Sequence, residues 1–195
     1  MAAPAAAGPT PMSRCQALVD RVLATSPRVA TLLRRVEGAG CPFSGPPIVC
    51  EDAFRGAPVT GSYDAGQHRV ILNPAVPPAA MTAAEWARTS AHELVHAFDV
   101  CRARVKTDDC IHLACTEIRA ANLSGDCDFL VELQRAPGAL LGGGVAAAQQ
   151  RCVRRRAETS VAMHAACAAA EGGAARAVRE AWAPCYADVA PFASN

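Results

Sequence analysis

The chain predicts an α+β fold: a small sheet or hairpin packed on one long buried helix, with additional C-terminal helices. Three stretches carry that expectation. Residues 85–100 contain neither Gly nor Pro and repeat Trp86, Thr89, Leu94 and Phe98 close to the helical period. Residues 61–73 read as two short arms around a turn near Asp64-Ala-Gly-Gln67. Beyond Asp126 the chain is Ala-rich and helical in pattern, broken by a Gly-rich connector at 137–144.

The elements follow in order. Residues 1–13 are Ala/Pro/Gly-rich and almost uncharged, and predict a disordered lead. Residues 14–195 predict a single domain, with an N-terminal helical and loop part over 14–60, a hairpin and helix part over 61–127, and a helical C-terminal part over 128–195. Arg14 to Glu37 is a helical run broken at Pro27, with Ser26 as the cap of the second piece. Gly and Pro crowd 38–47, a loop before a short strand at Ile48 to Cys50. The second arm of the hairpin is His68 to Leu72, ended by Asn73-Pro74, with His68 structural or exposed. Pro77-Pro78 stops any earlier helix, and Thr82-Ala-Ala-Glu85 has the form of a capping box that starts the long one. A further helix is expected over Ile111 to Leu123, and others over Asp126 to Arg135, Val145 to Ala170 and Ala174 to Tyr186.

Inside the long helix the chain reads His92-Glu-Leu-Val-His96. Residues four apart lie on one helix face, so the two imidazoles can address one metal ion. Glu93 lies about 100° round the helix from His92, near enough to serve a water held by that metal. This is the HExxH arrangement of zinc peptidases, and it makes the expected fold zincin-like. The surrounding apolar residues bury the helix, and a buried His-Glu pair without a metal would carry a desolvation cost. Zinc takes a third protein ligand and keeps an open position. Glu117, 25 residues after His92 on the next helix, is the first choice; Asp99 and Asp126 are the alternatives. Asp99 is better placed to hydrogen-bond a ligand imidazole than to reach the metal. His112, near the start of the helix that carries Glu117, is a fourth contact, a donor to the reacting oxyanion, or a helix-end histidine bonded to backbone.

Composition narrows the rest. With 51% hydrophobic residues and a net charge of +1, the chain has material for a core and no basic field for direct nucleic-acid binding. No stretch is apolar for long enough to predict a membrane span. Arg151, Arg154, Arg155 and Arg156 form a basic cluster, read as a solvated face or a contact for anionic lipid. Ten cysteines, none in a CxxC pair, predict at least three disulfides with pairings left open, although Cys167 among alanines has the look of a buried small residue. Oxidised cysteines without a secretory signal point to the mitochondrial intermembrane space.

Ser90-Ala-His-Glu-Leu-Val-His-Ala-Phe-Asp99, Cys101-Arg102 and, above all, His112-Leu-Ala-Cys-Thr-Glu-Ile-Arg-Ala-Ala-Asn-Leu-Ser-Gly-Asp-Cys127 resemble the mitochondrial inner-membrane zinc metallopeptidases that process and assemble a membrane-sector subunit of ATP synthase. Gly61-Ser-Tyr-Asp64, Cys152-Val-Arg154 and Pro191-Phe192 extend the resemblance over roughly Cys15 to Phe192. It implies a zinc endopeptidase held peripherally on the inner membrane, facing the intermembrane space, with His92 and His96 as Zn2+ ligands and Glu93 as the catalytic residue. It implies as partner an extended segment of that subunit, whose N-terminal extension is removed, and a separate chaperone role in its assembly. It also implies an association with the Ku protein, described for animal relatives. The chain departs from the family at Ala53, where many members carry a second cysteine after Cys-Glu-Asp, and at Cys110 and Cys167, which look like additions. Zinc that polarises a scissile carbonyl, with Glu93 moving the proton of the attacking water, is the expected mechanism; an assembly chaperone in which proteolysis is dispensable is the alternative.

Overall fold

The computed structural model describes residues 8–54, 59–76, 81–135 and 143–192. Residues 1–7, the Pro77-Pro78 stop and most of the 137–144 connector lie outside the described residues. Helices α1 (Pro11–Thr25) and α2 (Pro27–Gly38) begin with proline, whose fixed φ suits a first helical turn and whose missing N–H costs nothing there. Thr10 and Ser26 cap them by accepting from the backbone N–H of Ser13 and Val29. That cap starts α1 inside the stretch expected to be an unstructured lead.

Strands β1 (Ile48–Cys50), β2 (Gly61–Asp64) and β3 (Arg69–Leu72) form one sheet in the order β1-β3-β2. β2 and β3 are the expected hairpin, antiparallel with Gly61 opposite Leu72. In its turn the Asp64 carboxylate accepts from the N–H groups of Gly66 and Gln67. His68 closes the turn at φ 49°, unusual outside glycine. It holds that conformation because both ring nitrogens are engaged, one by the Tyr63 hydroxyl at 2.7 Å and one by the Cys41 carbonyl at 3.0 Å, while the ring stacks on Phe43. His68 is therefore structural.

Helix α3 (Ala83–Arg102) starts at the capping box: Thr82 accepts from the Glu85 N–H, and the Glu85 side chain accepts from the Thr82 N–H. After α4 (Cys110–Leu123) come α5 (Phe129–Arg135), α6 (Gly144–Ala162), α7 (Ala165–Ala169) and α8 (Gly173–Ala187). The single run expected over 145–170 is two helices, with His164 between them. The fold is thus mostly helical with a small three-stranded sheet.

The core has two main parts, and α4 belongs to both. One part joins the sheet to α1, α2 and α3 through Val19, Leu32, Ile48, Leu72, Leu94 and Val95, with Ala120 and Leu123 reaching in from α4. The other joins α4 to α6, α7 and α8 through Ile118, Val153, Val161 and Val178. Full burial of side chains of this size stabilises by about 1.5–3 kcal/mol each. A helix apolar on two sides is what Leu113, Ile118 and the neighbouring alanines dictate.

Five disulfides tie the parts together: Cys15–Cys50, Cys41–Cys101, Cys110–Cys167, Cys115–Cys185 and Cys127–Cys152. Two anchor α4 to the C-terminal helices, so the packing around α4 is covalently fixed. Loss of one such link typically costs about 2–5 kcal/mol. Cys167 is not a lone small hydrophobe; it pairs with Cys110, the other cysteine that departs from the family pattern. Among the described residues, no helix is long and apolar enough to cross a membrane.

Candidate metal centre

One turn of α3 and one residue of α4 converge on a point. His92 and His96, four apart on α3, hold their rings with centroids 4.9 Å apart. Glu117 of α4 faces both: its Oε2 lies 3.4 Å from His92 Nε2 and its Oε1 3.6 Å from His96 Nε2. One donor atom from each of the three residues falls within 4.8 Å of the others. Ligand atoms about 2.0–2.2 Å from a shared cation in tetrahedral geometry stand roughly 3.4 Å from one another, so the separations suit an ion such as zinc. Glu117 Oε2 is buried and accepts no hydrogen bond, and His92 Nδ1 is buried and unbonded. A carboxylate oxygen left unbonded between two imidazoles is costly without a cation. The donor set therefore fits a divalent metal.

The neighbours tune these groups. Burial alone raises the Glu117 carboxyl, but the His96 and His92 imidazoles and the Ser160 hydroxyl outweigh it and hold the pKa at about 2. Burial opposes a charge on His92, yet the Glu117 carboxylate beside it and the charges of Glu93 and Asp126 raise its pKa overall. His96 Nδ1 is 2.6 Å from the Thr116 hydroxyl, which fixes the ring and leaves Nε2 turned to Glu117.

Two cavities adjoin His92 and Glu93. One, of ≈ 330 Å³, also meets His96, Glu117, Ser62, Tyr63 and His164. The other, of ≈ 310 Å³, meets Thr60, Gly61, Asp126, Arg155 and Arg156. Both lie against β2, an edge strand, whose side away from β3 is unpaired among the described residues. β2 is set close to α3 at Gly61, where a Cβ would come within 2.9 Å of Leu72 and 3.0 Å of Thr89.

The structure brings together His92, His96 and Glu117, with Glu93 beside them. It does not bring in Asp99, Asp126 or His112. Asp99 was expected to orient a ligand imidazole; instead its carboxylate accepts from Arg119 Nε at 2.9 Å and from Arg102, because α4 delivers a guanidinium to that point. Asp126 is paired with Arg156 at 2.6 Å and lies near Arg135 and Arg88. His112 is exposed in the first turn of α4, its N–H bonded to Asp109, and borders a different cavity beside Asp99 and Arg119. The basic cluster of α6 is not one solvated face: Arg154 stacks on Trp182, Arg155 pairs with Glu132, and Arg156 pairs with Asp126. Thr116, Ser160 and His164 escaped the sequence reading. Thr116 sits next to Glu117, the only local hint; Ser160 and His164 arrive through the folding of α6 and α7.

A family model described as the Peptidase M76 family matches residues 13–193. Among curated relatives, the "Mitochondrial inner membrane protease ATP23 homolog" of Danio rerio is 38% identical over 183 residues, which cover 92% of this chain and 66% of that protein. The Homo sapiens protein of the same name is 36% identical over 94% of this chain and 70% of its own length. The "Mitochondrial inner membrane protease ATP23" of Mycosarcoma maydis is 31% identical over 94% of this chain and 91% of its own. The chain thus spans about two thirds of the length of these two vertebrate relatives. No solved structure matches.

Proposed function

The chain belongs to the peptidase M76 family, and on that premise we propose that it is a zinc-dependent endopeptidase of the HExxH, zincin-like type. The observation that carries this reading is the buried Glu117 carboxylate, unbonded at Oε2 and set between two imidazole nitrogens. His92, His96 and Glu117 are the residues that hold the ion. Zinc bound there supplies Lewis-acid polarisation of a carbonyl and lowers the pKa of water towards neutrality.

The chain's own residues do the remaining work. Thr116 keeps the His96 ring in one orientation. Glu93, the neighbour of His92 at the junction of the two cavities, takes the proton of the attacking water and passes it to the leaving amine nitrogen. The unpaired edge of β2 offers backbone N–H and C=O groups to an extended peptide, which aligns a peptide bond past Glu93. Such a cleft suits an unstructured segment rather than a folded domain.

The site of action proposed is the mitochondrial inner membrane, on its intermembrane-space face and peripherally attached. Support comes from the printed names of the relatives, the five disulfides and the lack, among the described residues, of a helix able to span a bilayer. The substrate proposed is the N-terminal extension of an ATP synthase membrane subunit, by the family resemblance of the 90–127 segment. Glu93→Gln tests the assignment. It is expected to retain zinc and fold while losing about 10²–10⁴-fold in peptide cleavage; cleavage at the wild-type rate would overturn the role given to Glu93. Restoration of ATP synthase assembly by that variant in cells lacking the protein would show that assembly does not need proteolysis.

A further inference from the structure

The ≈ 310 Å³ cavity meets His92 and Glu93 but neither His96 nor Glu117, and its far wall is basic. Arg155 and Arg156 line it from α6. Arg156 pairs with Asp126 at 2.6 Å, and its Nε is buried with no hydrogen-bond partner. Asp126 is shared with Arg135 at 3.5 Å and Arg88 at 3.7 Å. Arg155 reaches Glu132 at 3.2 Å through one nitrogen and leaves its side chain 59% exposed; Glu132 is shared with Arg135 at 3.6 Å. Four guanidinium groups therefore contact two carboxylates, and Glu93 lines the same cavity. A guanidinium carries five N–H donors, and neither lining arginine has all of them engaged by the pairs just named.

We propose that this cavity is a substrate subsite that selects a side-chain carboxylate, Asp or Glu, next to the cleaved bond, with Arg155 and Arg156 as the specificity-determining residues. The inference rests on the peptidase reading of Glu93. An incoming carboxylate finds a forked, charge-assisted donor set there. A Lys or Arg side chain finds no acceptor on either guanidinium. Thr159 and Ser160 line the same cavity and keep its wall polar. Because the cavity adjoins Glu93 and an extended peptide advances about 3.3 Å per residue, the selected residue falls within about two positions of the cut.

The test uses the full oxidised chain supplied with zinc and a mixture of C-terminally amidated peptides, with cut sites read by mass spectrometry. The expected result is enrichment of Asp or Glu at one fixed position beside the cut. In matched peptides, changing that residue from Glu to Gln should lower kcat/KM about tenfold. In Arg155→Gln and in Arg156→Gln the Glu-to-Gln ratio should fall towards one; a ratio is read because it cancels any general loss of activity. Arg155 is largely exposed, so its replacement leaves the core intact. Equal cleavage of both peptides by the wild type overturns the subsite and leaves the peptidase standing. If no peptide is cleaved, the peptidase reading fails, and anisotropy of labelled peptides on Glu93→Gln then decides the subsite alone. Tighter binding of the Glu peptide, lost in the double variant with Arg155→Gln, supports the subsite; equal binding of the two peptides sinks it.

Discussion

Helices α3 and α4 meet at two polar clusters about one turn apart, and the two are built on opposite rules. At His92, His96 and Glu117, buried polar atoms are left without hydrogen bonds. Three residues further along each helix from the His96–Thr116 contact, Asp99 meets Arg119, and every group is answered. Arg119 is 1% exposed, yet its Nε donates to Asp99, its Nη1 to the Asp188 carbonyl at 2.5 Å and its Nη2 to the Ala190 carbonyl at 2.6 Å. Arg102 adds a second cation, bonded to both Asp99 and Asp188. The satisfied cluster clamps the C-terminal segment to the helix pair. The unsatisfied one has free ligand atoms where a cation fits. Between these two clusters, the unanswered polar atoms fall at the candidate metal centre and the answered ones at the clamp.

Perturbing each cluster should therefore give different signatures. Arg119→Leu leaves the Asp99 carboxylate buried with only Arg102, and should cost about 3–5 kcal/mol in denaturant unfolding under oxidising conditions. A change below about 1 kcal/mol would place Asp99 outside the structural class. Thr116→Val removes the oxygen that orients His96 without touching the clamp. It should weaken zinc binding by about 10–100-fold, read by competition with a chelator, and change unfolding little. Thr82→Ala acts upstream of both clusters, at the start of α3, and should lower stability by about 1 kcal/mol without altering zinc affinity once folded. If it weakens zinc binding as much as Thr116→Val, the two regions are coupled rather than separable.

Much of this was legible in the chain where the interactions are local. The capping box of α3, the proline start of α2 and the Asp64 turn are hydrogen-bonded within a few residues, so their sequence signals survive folding. His92, Glu93 and His96 were placed by helical spacing, and Glu117 by its position on the next helix. What depended on distant chain was not legible. The parallel pairing of β1 with β3, the five disulfide partners and the arrival of Ser160 and His164 are all set by contacts between segments far apart in the chain. Asp99 was misjudged for the same reason: its spacing from His96 was plain, but the competing Arg119 comes from another helix and outbids the imidazole with a full charge and a forked donor set. Arg155 and Arg156 looked like solvent-facing charges because Asp126 and Glu132 approach them only in the folded chain.

The claim on which the account rests is that the His92, His96 and Glu117 side chains share one metal ion. The most direct check is metal analysis of the oxidised wild type and Glu117→Gln after loading with excess zinc and removal of unbound ion. The account predicts about one zinc per wild-type chain and much weaker retention in the variant, with both proteins folded. A wild type that keeps no metal, or a Glu117→Gln protein that keeps it as tightly, would contradict it.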